Sequence, residues 1–406
     1  MTPIHGTSAR RIYWTAFIGL FFDYYDLYLF IYLGKTLAAQ FALGEGASDL
    51  LQFTGIAGVG LGALIFGYLA DRFGRGRIML VVFAVYALGV AGLGAAWSFP
   101  TLLGFRLIAS LALGAEWGIS HTFMSEHVGR ERRYRFSALL QFAILGGLLA
   151  ALVTRFALPV VGWRWLFVAS IVPIAGLSAF RWRMLAGEDS VVGAGLPRDS
   201  VEAGLSRDSA TQSRREAAPT TDAIQFLRCF AIATLTIASG TVNVFFAKEL
   251  PQSTGYTILF WGNVAPGMLL GAWIVRRAGV RRALLGYAAA LVILSGFAWA
   301  SSWDGRKLAF ALVLPLLNGI PFGLMGAYFN EVFAGYRTML SGAAYNLGRI
   351  LAGFAPALIT ALQLQRGGNY FLFTAALGVG VLVIGIGVVK DFRSQLDATG
   401  PAVPEY

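Results

Sequence analysis

The chain has 406 residues, of which 57 % are hydrophobic and 13 % charged, whereas a soluble domain carries about a quarter charged residues. Its net charge of +11 comes from arginines spread over many short loops, which speaks against a nucleic-acid-binding surface. Cys229 is the single cysteine, so an intramolecular disulfide and a thiolate metal cluster are excluded; His5, His121 and His127 lack metal-ligand spacing, and no metal or cofactor is expected.

Twelve apolar stretches lie at 12–34, 50–70, 78–97, 101–124, 137–159, 164–184, 223–247, 256–276, 282–301, 308–332, 340–363 and 369–390. Each approaches the ~20 residues that cross a ~30 Å hydrocarbon core as a helix. They predict an all-α integral membrane protein of twelve transmembrane helices. Arginines crowd alternate loops, among them Arg10 and Arg11, Arg72 to Arg77, Arg130 to Arg135, Arg276 to Arg282 and Arg337. The positive-inside rule then places both termini and the central loop in the cytoplasm, in a cell (inner or plasma) membrane. The first apolar run is too long for a cleavable signal and leads straight into the next spans.

The first span carries Asp23 and Asp26, three residues apart and so on one helix face, roughly 15 and 20 Å from the cytoplasmic start. Charges at such depth are costly and persist where they line water or meet a partner, which makes both aspartates proton-coupling candidates. Of the neighbouring tyrosines, Tyr25 is a candidate substrate contact; packing is the competing reading. Gly58 and Gly62 in span 2 suit close helix packing, because no strand precedes them as a dinucleotide fingerprint would require. Span 4 holds Arg106 in its outer third and Glu116 in its inner half. An arginine beside a carboxylate favours the charged form, and separation in a drier setting favours protonation. Asp23 or Asp26, if alternately joined to and parted from Arg106, would therefore bind and release protons; Glu116 joins them as a coupling candidate, with Ser120 and His121 as local partners.

Residues 187–221 are rich in Gly, Ser, Asp, Glu, Arg and Pro, with an echo from Ala194 to Ser200 and from Ala203 to Ser209. Such a segment reads as a flexible linker. It divides the chain into an N-terminal six-helix bundle (1–186) and a C-terminal one (222–406). In the second half, Trp261 and Asn263 on span 8 and Asn318 beside Gly319 and Pro321 on span 10 are candidate substrate contacts. Arg349 lies about 16 Å into span 11, where its planar fork suits a substrate carboxylate; bracing of the helix is the competing role.

A constant offset of 205 residues relates Arg72, Gly74, Arg77, Leu80, Glu126, Arg132 and Gln141 to Arg277, Gly279, Arg282, Leu285, Glu331, Arg337 and Asn346. The two bundles are thus pseudo-symmetric copies, as in many secondary transporters.

The loop Gly67-x-Leu69-Ala70-Asp71-Arg72-x-Gly74-Arg75-Gly76-Arg77 resembles the signature between helices 2 and 3 of the major facilitator superfamily, with Gly76 where a basic residue is usual. Arg106 with Gly114-Ala115-Glu116-Trp117-Gly118, Glu126 with Arg132, Gly162-Trp163-Arg164-Trp165-Leu166-Phe167, and Tyr345-Asn346-Leu347-Gly348-Arg349 resemble its metabolite:proton, sialate/lactate:proton and sugar porter branches. The resemblance implies helices 1, 4, 7 and 10 around a central cavity. It also implies a cytoplasmic gating latch built from Gly67, Asp71, Arg72, Gly74, Arg75, Arg77, Glu126, Arg132, Arg277, Glu331 and Arg337, in which Asp71 faces the positive end of the helix 11 dipole. The expected activity is secondary transport by alternating access, with symport of a small organic anion and protons, or sodium in their place. A proton-coupled drug or metabolite exporter, a sugar or polyol facilitator and a metabolite sensor are the alternatives. An enzyme is not expected, since no nucleophile–base pair is embedded in the spans. The expected partners are the small-molecule substrate and the lipid bilayer, with the protein acting as a monomer.

Overall fold

The computed structural model describes residues 9–129, 132–173, 175–176, 179, 219–249, 254–300, 307–333, 335–364 and 369–387. The linker, apart from residues 219–221, lies outside the described residues.

The first half is built from α1 (Ala9–Gln40), α2 (Glu45–Phe73), α3 (Arg75–Ala95), α4 (Phe99–His127), α5 (Arg133–Phe156) and α6 (residues 163–173). Helix α5 tightens into a 3₁₀ stretch at Phe142–Leu145. The second half begins with α7 (Pro219–Glu249). The segment Thr254–Ala300 is interrupted at Gly279 (φ 86°, ψ 165°), which separates α8 (254–278) from α9 (280–300). Then come α10 (Lys307–Val332), α11 (Arg337–Ala352, resuming as Ala355–Ala361) and α12 (Tyr370–Gly387). Among the described residues seven helical stretches are long and apolar enough to cross a bilayer, the α8–α9 pair being one of them. The architecture is all-helical, with twelve helices in two pseudo-symmetric six-helix bundles.

Local chemistry explains the joints. Ser98 caps α4 by accepting from the Thr101 N–H (3.5 Å), while its own N–H donates to Thr101 Oγ1 (3.1 Å), and Pro100 sits at the start of the helix. Gly74 (φ 98°) and Gly279 (φ 86°) occupy positions related by the 205-residue offset, and both turn one helix into the next in a backbone region closed to most side chains. The same offset links two glycine seams. Gly62 and Gly114 let α2 and α4 touch backbone to backbone, at Leu111 and Val59; Gly267 and Gly319 do the same for α8 and α10, at Leu316 and Val264.

The burial pattern is that of a membrane protein. Trp165, Val172, Leu88, Ile293, Leu227 and Val383 are exposed on the perimeter, while Asp23, Asp26, Arg106, Glu116, Gln141 and Asn318 are buried inside. The halves meet through α2 against α11, α5 against α8 and α10, and α4 against α10 and α11, an arrangement the pseudo-two-fold maps onto itself.

Candidate functional site

The paired aspartates of α1 do different things. Asp26 is 3 % exposed and accepts a hydrogen bond from the Tyr86 hydroxyl of α3. Ser170 of α6 is its second hydroxyl neighbour, and Arg106 of α4 is close enough for charge–charge attraction. The Arg106 guanidinium lies over the Phe30 ring, 3.7 Å from its centroid, and against Gly55 of α2. A Cβ on Gly55 would stand 2.5 Å from Arg106 Nε and Nη2, so that glycine makes room for the arginine. Asp26 and Arg106 attract one another inside the first bundle, walled by α1, α2, α3, α4 and α6, and Asp23 lies near enough to act on the same Tyr86.

Asp23 faces the second half. With Leu20, Tyr24 and Leu27 of α1, Leu113 and Trp117 of α4 and Arg349 of α11, it lines a cavity of about 20 Å³ between the bundles. That holds about one water and is far too small for an organic acid, so the halves are drawn together here. Arg349 is half-buried, with its guanidinium 5.7 Å from the Tyr345 ring centroid and near Tyr24 and Tyr28. The Tyr24 and Tyr345 hydroxyls meet at 3.2 Å. A larger hollow of about 720 Å³ between α1, α5 and α6 has only apolar and neutral walls, and the exposed side chains of Val160 and Trp165 open it to the perimeter.

Other candidates are placed away from this cavity. Tyr25 turns toward α6, where its hydroxyl donates to Leu166 O (3.2 Å); a wall of packed helix separates it from the inter-bundle space. Glu116 is fully buried and accepts from Ser120 Oγ (2.8 Å) one turn along α4, while His121 pairs instead with Gln141. Asn318 ties the second bundle together: Oδ1 accepts from Tyr287 (3.2 Å) and Ser239 (3.3 Å). Its Nδ2 has no hydrogen-bond partner among the described residues and lies toward Gly240 of α7. Asn263 is half-buried on α8, and the side chain of Trp261 lies outside the described residues.

At the arginine-rich end the halves are fastened. Asp71 accepts from the backbone N–H groups of Thr338 (3.2 Å) and Met339 (2.9 Å) in the first turn of α11, and Arg75 bonds it at 2.9 Å. Gly67 lies against the backbone of Met339, which leaves no room for a side chain there. Arg75 also reaches Glu126 (3.2 Å). Glu331 takes Arg133 (3.4 Å) and Tyr134 (2.6 Å) from α5. Arg132 is exposed at the N-cap of α5. Arg337 turns back to Phe333 O (2.9 Å). Arg72 bonds Tyr68, whose ring stacks on Tyr336, while its repeat counterpart Arg277 lies over Trp273, also four residues back. Arg77 is exposed.

The sequence reading missed Tyr86, Phe30 and Gly55 around the buried pair, and Tyr345 with Trp117 below the cavity. Tyr86 is one tyrosine in an otherwise apolar helix, which is a faint signal; Trp117 and Tyr345 stood within the quoted motifs.

The chain is 25 % identical to the niacin transporter NiaP of Acinetobacter baylyi, covering 96 % of this chain and 95 % of that protein. It is 26 % identical to the cis,cis-muconate transport protein of the same organism (91 % of each chain) and 28 % identical to the 3-(3-hydroxy-phenyl)propionate transporter of Escherichia coli (90 % of each). Among solved structures, the proton:xylose symporter XylE bound to 6-bromo-6-deoxy-D-glucose superposes with a TM-score of 0.70 at 17 % identity, over 95 % of this chain and 96 % of that one, and shows the shared fold. The family profile matches residues 16–356, and the chain accordingly belongs to the Major Facilitator Superfamily of membrane transporters.

Proposed function

We propose that this protein is a secondary active transporter that imports a small organic anion together with protons by alternating access. The observation that carries the reading is the division of charge on α1: Asp23 and Arg349 line one cavity between the bundles, while Asp26, Tyr86 and Arg106 form a buried cluster three residues away. Arg349, always charged and planar, suits a carboxylate arriving between the halves. Asp26 suits the proton, because a buried carboxylate near Arg106 favours one protonation state or the other as water access and the Arg106 side chain shift within the first bundle. An intramembrane arginine facing the cavity matches an anion better than a neutral sugar and repels a cationic drug. The relatives named for niacin, muconate and hydroxyphenylpropionate support an acid as cargo.

In this reading residues 1–186 and 222–406 rock as two units about a linker at 187–221. The arginine-rich end and both termini face the cytoplasm of a cell membrane, as the arginine placement favours, and the protein works as a monomer. Glu116 and Asn318 act at a distance from the cargo, while Arg349 is the group of the second bundle that lines its cavity. Purified protein in liposomes with an alkaline interior, given labelled mono- and dicarboxylates, aromatic acids and neutral sugars, tests the proposal. Uncoupler-sensitive accumulation of an acid that disappears in Asp26→Asn supports it. Movement of sugars alone, indifferent to the pH gradient, would reject it.

A further inference from the structure

Between the cavity and the Asp71 fastening lies a layer that the charge-based reading leaves without a role. Trp117 of α4 stacks face to face on Tyr345 of α11, with centroids 3.9 Å apart and planes 4° from parallel; the two side chains are 2 % and 1 % exposed. The contact joins the two bundles, and its Trp117 side lines the cavity that Asp23 and Arg349 share. Eleven residues farther along α4, roughly 16 Å at the helical rise, comes Val128 at the loop of the latch.

The indole is held in place by a chain of hydrogen bonds. Trp117 Nε1 donates to Gln141 Oε1 (3.1 Å), and His121 Nε2 meets the same oxygen at 3.0 Å. An indole nitrogen only donates, so the Gln141 carbonyl must face it. His121 Nε2 then carries a proton and donates, and Nδ1 is left to accept from Ser137 Oγ (3.4 Å). His121 in turn sits directly on Gly326 of α10, its own counterpart under the 205-residue repeat. The first half therefore fills a space that the second half leaves empty: a bulky Trp–His–Gln unit on α4 and α5 is pressed against Tyr345 and a glycine. Thr122 continues the seam by donating to Asn330 Oδ1 (2.6 Å).

We infer that the Trp117–Tyr345 stack is a second gate, which closes the cavity floor on the cytoplasmic side separately from the Asp71 latch; Gln141 and His121 are positioning residues that fix the indole against Tyr345. This rests on the alternating-access reading and adds to it the residues that must part before cargo can leave toward the cytoplasm. The stack biases the closed state about two- to tenfold.

A thiol-accessibility measurement tests the gate without any substrate. In a Cys229→Ser background, Leu113→Cys places one thiol in the cavity wall, and a membrane-impermeant maleimide is applied to the cytoplasmic face of oriented vesicles. Trp117→Ala should speed modification by about tenfold, with Trp117→Phe close to the parent and modification from the opposite face slowed. Tyr345→Ala removes the same stack from the other half and should repeat the result, so a poorly folding tryptophan variant does not leave the matter open. Unchanged rates in Tyr345→Ala, or a rise of equal size from both faces, would overturn the gate. Because the readout needs no cargo, a failure here is distinct from a failure of the organic-anion proposal.

Discussion

Asp71→Asn should release the fastening at the cytoplasmic end while keeping the side chain's size. The carboxylate holds two backbone N–H groups at the start of α11 and one arginine, and its side chain is only 5 % exposed. Hydrogen bonds to a charged group contribute about 1.5–3 kcal/mol, and an anion in the first turn of a helix adds about 0.3–1 kcal/mol. Asparagine keeps one acceptor and turns an amide N–H₂ toward the second donor, so one charged bond and the dipole contribution are lost, about 2–4 kcal/mol in all. At ~1.4 kcal/mol per factor of ten, the ratio of open to closed rises about 30- to 700-fold. Spin labels at Arg77→Cys and Arg282→Cys, exposed repeat counterparts on the two halves, would report it in a Cys229→Ser background by pulsed distance measurement. The parent should give mainly one short distance, and Asp71→Asn a dominant longer one. Identical distributions for the two proteins would refute the reasoning, since the same bonds cannot both fasten the halves and be dispensable.

Gly55→Ala places a methyl group 2.5 Å from the Arg106 guanidinium, so it should cost about 1–3 kcal/mol in stability and depress uptake; Gly46→Ala, with nothing within 4 Å, is the control, and thermal unfolding with an uptake assay reads both. Arg349→Lys keeps the charge but loses the planar fork, and is expected to raise the KM for an anionic cargo about tenfold or more with the fold intact. Asn318→Leu leaves the Tyr287 and Ser239 hydroxyls without their shared acceptor; its unfolding free energy should fall by about 1–3 kcal/mol, seen as a lower Tm, whether or not uptake changes.

The architecture was legible because bilayer thickness forces apolar runs of one length and arginine placement is independent of packing. The repeat was legible through residues that the turns require: Gly74 and Gly279 recur because both bear a positive φ. The glycine seams of Gly62, Gly114, Gly267 and Gly319 obey the same offset, yet in a chain with 50 glycines they do not stand out. The site was legible in its charges and less so in its pairings. Spacing put Asp23 and Asp26 on one face, but three residues on a helix subtend about 300°, or 60° the other way, enough for one to look into the bundle and the other out of it. Which arginine each would meet depended on the rotation of α1 against α4 and α11, and that is set by packing. That Arg133 is the arginine at Glu331 is likewise set by packing, and spacing alone does not single it out from Arg130, Arg132 and Arg135. Trp117 and Tyr345 stand in the sequence only as members of the family-like motifs, because nothing in a linear sequence announces a contact between residues 228 positions apart.

Counterflow-free uptake in liposomes with an imposed pH gradient tests the central claim most directly, with Asp23→Asn, Asp26→Asn and Arg106→Ala measured beside the parent. The account predicts that a labelled carboxylate accumulates only when the interior is alkaline, that Asp26→Asn abolishes this coupling, and that Arg106→Ala uncouples accumulation from the gradient. Gradient-driven accumulation that survives in both aspartate variants would contradict it and leave those buried charges a purely structural role.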